Sequence, residues 1–315
     1  MKIHTKICIA AILFTVGVTS GATADTSSSA IVPAKSQKVT AVYDFVWNGF
    51  LIGTSDTVID LADEKYVIDF KFRTRGVMKI FSSGRSQVTS YGKFLAPGEV
   101  LPKEFSSSGR WSGDDFARSV FYDDQGRAVG SQLDWPQEWL DDFKNEDVPV
   151  DMQQGADPLS VMLPVLTQPL PVTDKKDPAQ HRFYTGRSVL DLLMACDGEA
   201  DDLKKVRRSE HFGPAKLCRF NFKMIAGFPI ETEEEKRKRE KREAKERARA
   251  ERDAKKGKTR KDEDDDDFIQ VWFQDDASVP GLNLPVRGEF ALDMGTVKMY
   301  LRELKGTAPV TQSGR

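Results

Sequence analysis

The sequence predicts a mainly β protein, a curved antiparallel half-barrel or open barrel of ten or more strands with two short helices and one long charged helical insertion. Three observations predict it. Apolar and polar residues alternate with a period of two over most of the chain after Val39. Tyr66, Ile68, Phe70 and Phe72, for instance, alternate with Val67, Asp69, Lys71 and Arg73, the pattern of a strand with one buried and one wet face. Turn signals such as Asn48-Gly49, Asp124-Gln125-Gly126 and Asp197-Gly198 punctuate these runs. A sheet of that many strands also curls, creating a concave face that side chains, helices or a ligand must fill.

The elements follow in order. Residues 1–24 read as a signal peptide: Lys2 and Lys6 open it, Ile7 to Val18 are nearly all apolar, and Ala22-Thr23-Ala24 offers an A-x-A cleavage site before Asp25. The apolar run is short for a membrane span, so the expectation is an exported, periplasmic chain cleaved after Ala24 and not membrane-spanning thereafter. Residues 25–38 are a Ser-rich linker, and 39–305 form one β-rich domain. Strands are expected at 39–47, 50–61, 66–73, 85–92, 102–110, 116–123, 127–134, 181–196, 202–210, 215–225, 268–275, 286–292 and 295–304, before a disordered tail at 306–315. Two short amphipathic helices break the pattern. One spans Pro136 to Phe143, with Trp139, Leu140 and Phe143 at helical spacing and Trp135 just before it. The other begins at Asp157, an N-cap ahead of Pro158, and sets Leu159, Met162, Leu163 and Leu166 on one side. Both either plug one end of the core or form a lid over a concave apolar face.

Charge is concentrated in one place. The chain has 47 Lys and Arg against 49 Asp and Glu, a net charge of −2, which argues against a generally basic nucleic-acid binder. Residues 231–267 contain no aromatic and no large aliphatic residue, and they hold a large share of the ions with the two signs balanced. Acid-first pairs four apart, such as Glu233/Arg237 and Glu243/Arg247, suit a solitary helix over 232–256, about 37 Å long, followed by a disordered acidic tract at Asp262 to Asp267. With no apolar face it has nothing to pack on the sheet. Outside this block and the signal peptide the charged fraction falls to about a quarter, the ordinary value for a globular domain.

Catalytic chemistry is not evident. His181 and His211 lie in no metal-ligand spacing, and no nucleophile elbow, P-loop or dinucleotide fingerprint occurs, so no catalytic residue, metal site or cofactor is expected. Cys196 and Cys218 are the cysteines left after cleavage of the signal peptide. An oxidising compartment favours pairing them, whereas a plain up-down-up meander over 189–196, 202–210 and 215–225 sets them roughly 23 Å apart. Both states stay open on the sequence.

Several short motifs converge in order: Tyr43-x-Phe45, Gly49-Phe50-x-Ile52-Gly53, Ser90-Tyr91-Gly92, Leu101-Pro102-x-x-Phe105, Phe121-Tyr122-Asp123, Asp157-Pro158-Leu159-Ser160, Tyr184-x-Gly186-Arg187, Cys218, Val271-Trp272 and Leu284-Pro285-Val286. Across about residues 40–304 the chain resembles the bacterial exported family known as domain of unknown function 3108. That resemblance implies no activity and supplies no catalytic residues. Family members carry a brief turn where this chain has 231–267, which marks that block as an insertion. In outline the fold is also similar to the half-barrel carriers of lipoproteins, an analogy of architecture alone.

The functional expectation is a non-enzymatic envelope protein whose apolar concave face binds a lipid-like or acylated molecule. The candidate lining residues are Phe70, Phe72, Met78, Phe81, Trp135, Trp139, Met162 and Leu163, because aromatics and Met suit adaptable apolar pockets. The alternatives are an interaction module that docks on envelope proteins through a sheet edge or the charged arm, and a hydrolase with an unrecognised site.

Overall fold

The computed structural model describes residues 36–307, except 63, 97, 293–294 and, in the charged segment, 234–235, 238, 242–243, 246, 249–251 and 253–267. The expected signal peptide, most of the linker, the acidic tract and most of the tail lie outside the described residues. The long charged helix expected over 232–256 is not seen as an element, since much of that stretch also falls outside them.

Thirteen antiparallel strands form one sheet: β1 (Gln37–Trp47), β2 (Phe50–Ala62), β3 (Lys65–Thr74), β4 (Gly84–Ala96), β5 (Glu99–Trp111), β6 (Asp114–Tyr122), β7 (Ala128–Asp134), β8 (Ala179–Tyr184), β9 (Val189–Leu203), β10 (Gly213–Ala226), β11 (Ile269–Asp275), β12 (Asn283–Leu292) and β13 (Gly295–Thr307). The order across the sheet is β7-β6-β5-β4-β3-β2-β1-β13-β12-β11-β10-β9-β8. Neighbours in sequence are therefore neighbours in space, and the first and last strands pair in the middle. The edges are β7 and β8, consecutive in the chain, so the stretch between them must cross from one edge to the other.

That stretch also joins the edges without closing the sheet. Ala128 N–H donates to Gln153 O at 2.7 Å beside β7, while Tyr184 N–H on β8 donates to Ala156 O at 2.8 Å. The Tyr122 hydroxyl of β6 reaches Tyr184 O of β8 at 3.4 Å. Val88, Phe105 and Val120 from one half of the sheet share a buried cluster with Tyr184, Val189 and Ala226 from the other. Among the elements of the described residues, the helices are α1 (Met78–Phe81), α2 (Gln137–Asp142) and α3 (Leu163–Thr167), the last preceded by a 3₁₀ turn at Ser160–Met162. Among the described residues no helix is long and apolar enough to cross a membrane.

The expected strands differ from the observed ones chiefly at one place. The run 181–196 is two strands, broken at Thr185–Ser188, where Thr185 N–H donates to Ser188 O at 2.9 Å and Gly186 takes φ +88°. Asp197-Gly198 is not a turn. β9 runs through it to Leu203, residues 204–212 make the connection, and no separate strand exists at 202–210. This removes the geometric objection to the disulfide. Cys218 on β10 lies directly opposite Cys196 on β9, and the two sulfurs are bonded.

The core fills one end of the inner face. Val161, Leu163, Val165, Leu166 and Leu170 pack against Val39, Leu61, Tyr66, Phe94, Leu192, Met194, Leu217 and Leu301. Asn283 fastens this plug by donating to Val165 O at 2.7 Å and Gln168 O at 2.5 Å. The carbonyls at the end of α3 are thus satisfied from β12 rather than by solvent.

Candidate ligand-binding face

At the other end of the inner face the strands carry glycines and large rings in alternation. On β2, a Cβ at Gly53 would meet the Phe72 ring at 2.5 Å, and on β4 one at Gly84 would meet the Trp111 ring at 2.3 Å. One at Gly109 on β5 would meet the Arg85 carbonyl at 2.2 Å before the Phe116 ring at 2.9 Å. The rings therefore lie flat over backbone that has no side chain, as when an aromatic covers a strand glycine. They also contact one another. Phe45 and Phe72 meet edge to face at 5.5 Å, Phe72 stacks on Trp111 at 6.4 Å with planes 9° apart, and Phe45 lies 6.5 Å from Phe290. This aromatic floor runs from β12 across β1 and β3 to β5. Phe45, Phe72, Phe290 and the neighbouring Met299 are only half-buried, and Phe45, Phe290 and Met299 pack against the margin of the plug core.

The glycine beneath Trp111 is testable. Trp111 cannot retreat freely, because its indole N–H is held by Ser82 Oγ at 2.6 Å and the ring is buried. Gly84→Ala is expected to destabilise the protein by about 1–3 kcal/mol, the usual range for overpacking. Gly130→Ala, whose Cβ would have its nearest neighbour at 3.9 Å, should cost under about 0.5 kcal/mol. Urea melts of the two variants measure the contrast.

The candidate lining residues fall into three groups. Phe72 belongs to the floor, and Phe70, also on the inner face of β3, is half-buried against the cluster of Val88, Phe105 and Val120. Met78 is buried in α1, and the side chain of Phe81 lies outside the described residues. Trp135 and Trp139 meet at 6.1 Å, with Phe143 6.4 Å from Trp135 and Phe116 5.6 Å from Trp139, so α2 extends the aromatic surface from β6. Leu163 is fully buried in the plug, and Met162 is half-buried against the same core. The floor residues Phe45, Trp111, Phe116 and Phe290 were missing from the expected set. Their signal was present as alternation in phase with glycine on the neighbouring strand, but it needs the register to be read.

Chemistry on this face is sparse. Among the described residues no group of three or more His, Cys, Asp or Glu side chains is placed to hold a metal ion. His181 sits instead in a separate, open recess of about 380 Å³ beside Val100, Gln125 and Arg182, where burial lowers its pKa. Two buried acids are held by arginines. Asp191, buried in β9, takes both ends of the Arg182 fork at 2.7 and 3.1 Å, and Asp44 in β1 is held by Arg302 at 3.0 Å.

An unclosed antiparallel sheet with one filled end and one aromatic end is the architecture these residues define. The family model described as Protein of unknown function (DUF3108) matches residues 42–302, and the chain belongs to that family. No curated protein and no solved structure matches it significantly.

Proposed function

We propose that this is a non-enzymatic protein of the periplasm that works as a half-barrel: its inner face binds a lipid-like or acylated molecule in the assembly or maintenance of the cell envelope. The observation that carries the reading is the half-buried aromatic floor of Phe45, Phe72 and Phe290, continuous over several strands and laid over glycines. Glycines lie under core side chains at the plug end too, Gly92 beneath Tyr66 and Gly306 beneath Val279, so what sets the floor apart is that its rings are only half-buried. Half-buried rings set at different tilts suit a flexible apolar chain of variable length. The A-x-A site at Ala22-Thr23-Ala24 after the apolar run Ile7 to Val18 supports export.

Native mass spectrometry of protein purified from a membrane-containing lysate should show co-purified mass in the range of a lipid, removed by organic extraction. Phe72→Ala should weaken its retention. Protein that is lipid-free under every mild condition would sink the carrier reading. That result would favour a module that docks on other envelope proteins. A specific feature favours this second reading: edge strand β7 is exposed along nearly its whole length, with Val129 67% and Leu133 39% exposed beside unpaired backbone groups.

A further inference from the structure

The inner-face positions of β6 read Phe116, Arg118, Val120 and Tyr122, so a guanidinium stands where the period of the strand calls for an apolar group. Arg118 is 5% exposed. Its guanidinium carbon lies 5.3 Å from the centre of the Phe105 ring, yet its buried Nε has no hydrogen-bond partner among the described residues. The ionisable groups that act on it are Arg187, Tyr122 and Tyr184, with no carboxylate among them. Burial, and after it the charge of Arg187, pull its pKa down to about 10, so it is still a cation at neutral pH.

The groups around it are donors as well. Arg187, in the turn between β8 and β9, lies over the Trp135 ring with its guanidinium carbon 4.9 Å from the centroid, and it donates to Phe143 O. Trp135 Nε1 is buried and has no acceptor among the described residues. Arginine and indole can only donate. Two like charges and an idle N–H are thus gathered at the end of the aromatic surface, with no anion among the described residues to answer them. A buried cation without a counter-charge costs several kcal/mol, and the fold could have avoided that with a methionine.

We propose that Arg118, Arg187 and Trp135 Nε1 form a subsite for the anionic head, carboxylate or phosphate, of an acylated amphiphile whose chain lies on the floor of Phe116, Trp111, Phe72 and Phe45. This rests on the carrier reading above and specifies its ligand class. Arginine suits the role because its planar fork matches both oxyanions, and a partly desolvated site strengthens the contact. Arg187 is half-exposed and gives the head group a way in.

The test uses three probes on the full chain, each amphiphile kept below its micelle-forming concentration: laurate, dodecyl maltoside with the same chain but a neutral head, and inorganic phosphate. Calorimetry should show laurate binding the native protein at least about tenfold more tightly than dodecyl maltoside. Arg118→Met should lose about ten- to a hundredfold in laurate affinity and leave dodecyl maltoside unchanged. Arg187→Gln, at a half-exposed position in the turn between β8 and β9, should shift affinity in the same direction and carries the test if the first variant does not fold. Equal laurate affinity in the native protein and both variants would overturn the anion subsite while leaving the carrier reading intact. If neither amphiphile binds but phosphate raises the melting temperature of the native protein and not of Arg118→Met, the subsite stands and the acyl-chain reading falls. If none of the probes acts, both are wrong.

Discussion

Replacing both cysteines, Cys196→Ala with Cys218→Ala, is expected to lower the free energy of unfolding by about 3–4 kcal/mol, the loop-closure value for a bridge of this span. The two positions are 22 residues apart in sequence and wholly buried. They face each other across β9 and β10, next to the register shift between Lys216 and Cys218 and one strand in from the β8 edge. Without the bridge, the unfolded chain regains the freedom of that loop, and the connection at 204–212 is no longer tied at a second point. The neighbourhood adds to the effect, since Thr173 Oγ1 donates to Met194 O at 3.1 Å beside the bridge and fastens the incoming end of the crossing segment to β9. Urea melts with and without reductant should show a lower midpoint on reduction, by an amount close to that of the alanine pair in non-reducing buffer. Coincident midpoints in oxidised and reduced protein would show that the bridge contributes nothing to stability.

The same pair of residues shows what could and could not be read from the sequence. Alternation is a local signal, and strands such as 66–73 and 116–123 were legible because each pairs one wet face with one buried face. Where both faces are covered, the signal fails. Val189 to Cys196 is a nearly continuous apolar run, which hid the turn at Gly186 that begins it. The exposed, acidic stretch of β9 after Cys196 looked like a loop. It is a strand because β10 supplies backbone partners as far as Gly213 opposite Leu203. The pairing of β1 with β13 is a contact between the two ends of the domain and leaves no local trace at all. The site was legible to the same extent. Rings on known strands could be nominated, and Phe72 and the two tryptophans were, but the floor depends on which glycine lies opposite which ring. Arg118 was overlooked although its signal was plain: a charge in phase with Phe116, Val120 and Tyr122 on a strand already recognised.

Asp157 carries the other large effect. It is fully buried, and among the described residues no cation pairs with it. Instead its carboxylate accepts from Ser90 Oγ at 2.6 Å, Leu159 N–H at 2.8 Å and Ser160 N–H at 3.1 Å, which caps the turn that starts the plug and ties it to β4. Asp157→Ala leaves those three donors, two of them buried, without an acceptor, and the loss of a cap and a buried hydrogen bond together should cost about 2–4 kcal/mol. The pH dependence runs opposite to that of a salt-bridged acid. Burial raises the pKa of Asp157 above its ordinary carboxylate value, and the three hydrogen bonds only partly offset this. The folded state therefore holds the proton more tightly than the unfolded chain does. The stability this gives is fully present below the unfolded pKa of about 3.9 and is lost as pH rises through the folded value. Asp157→Asn keeps an acceptor for the two backbone N–H groups and does not titrate. Relative to the native protein it should therefore fare worst at the acid end and improve as pH rises toward neutrality. Parallel urea melts of the native protein and both variants from acid to neutral pH measure this. A difference between Asp157→Asn and the native protein that does not change with pH would mean that the buried carboxyl has the same proton affinity folded and unfolded, and that its hydrogen bonds fully compensate its burial.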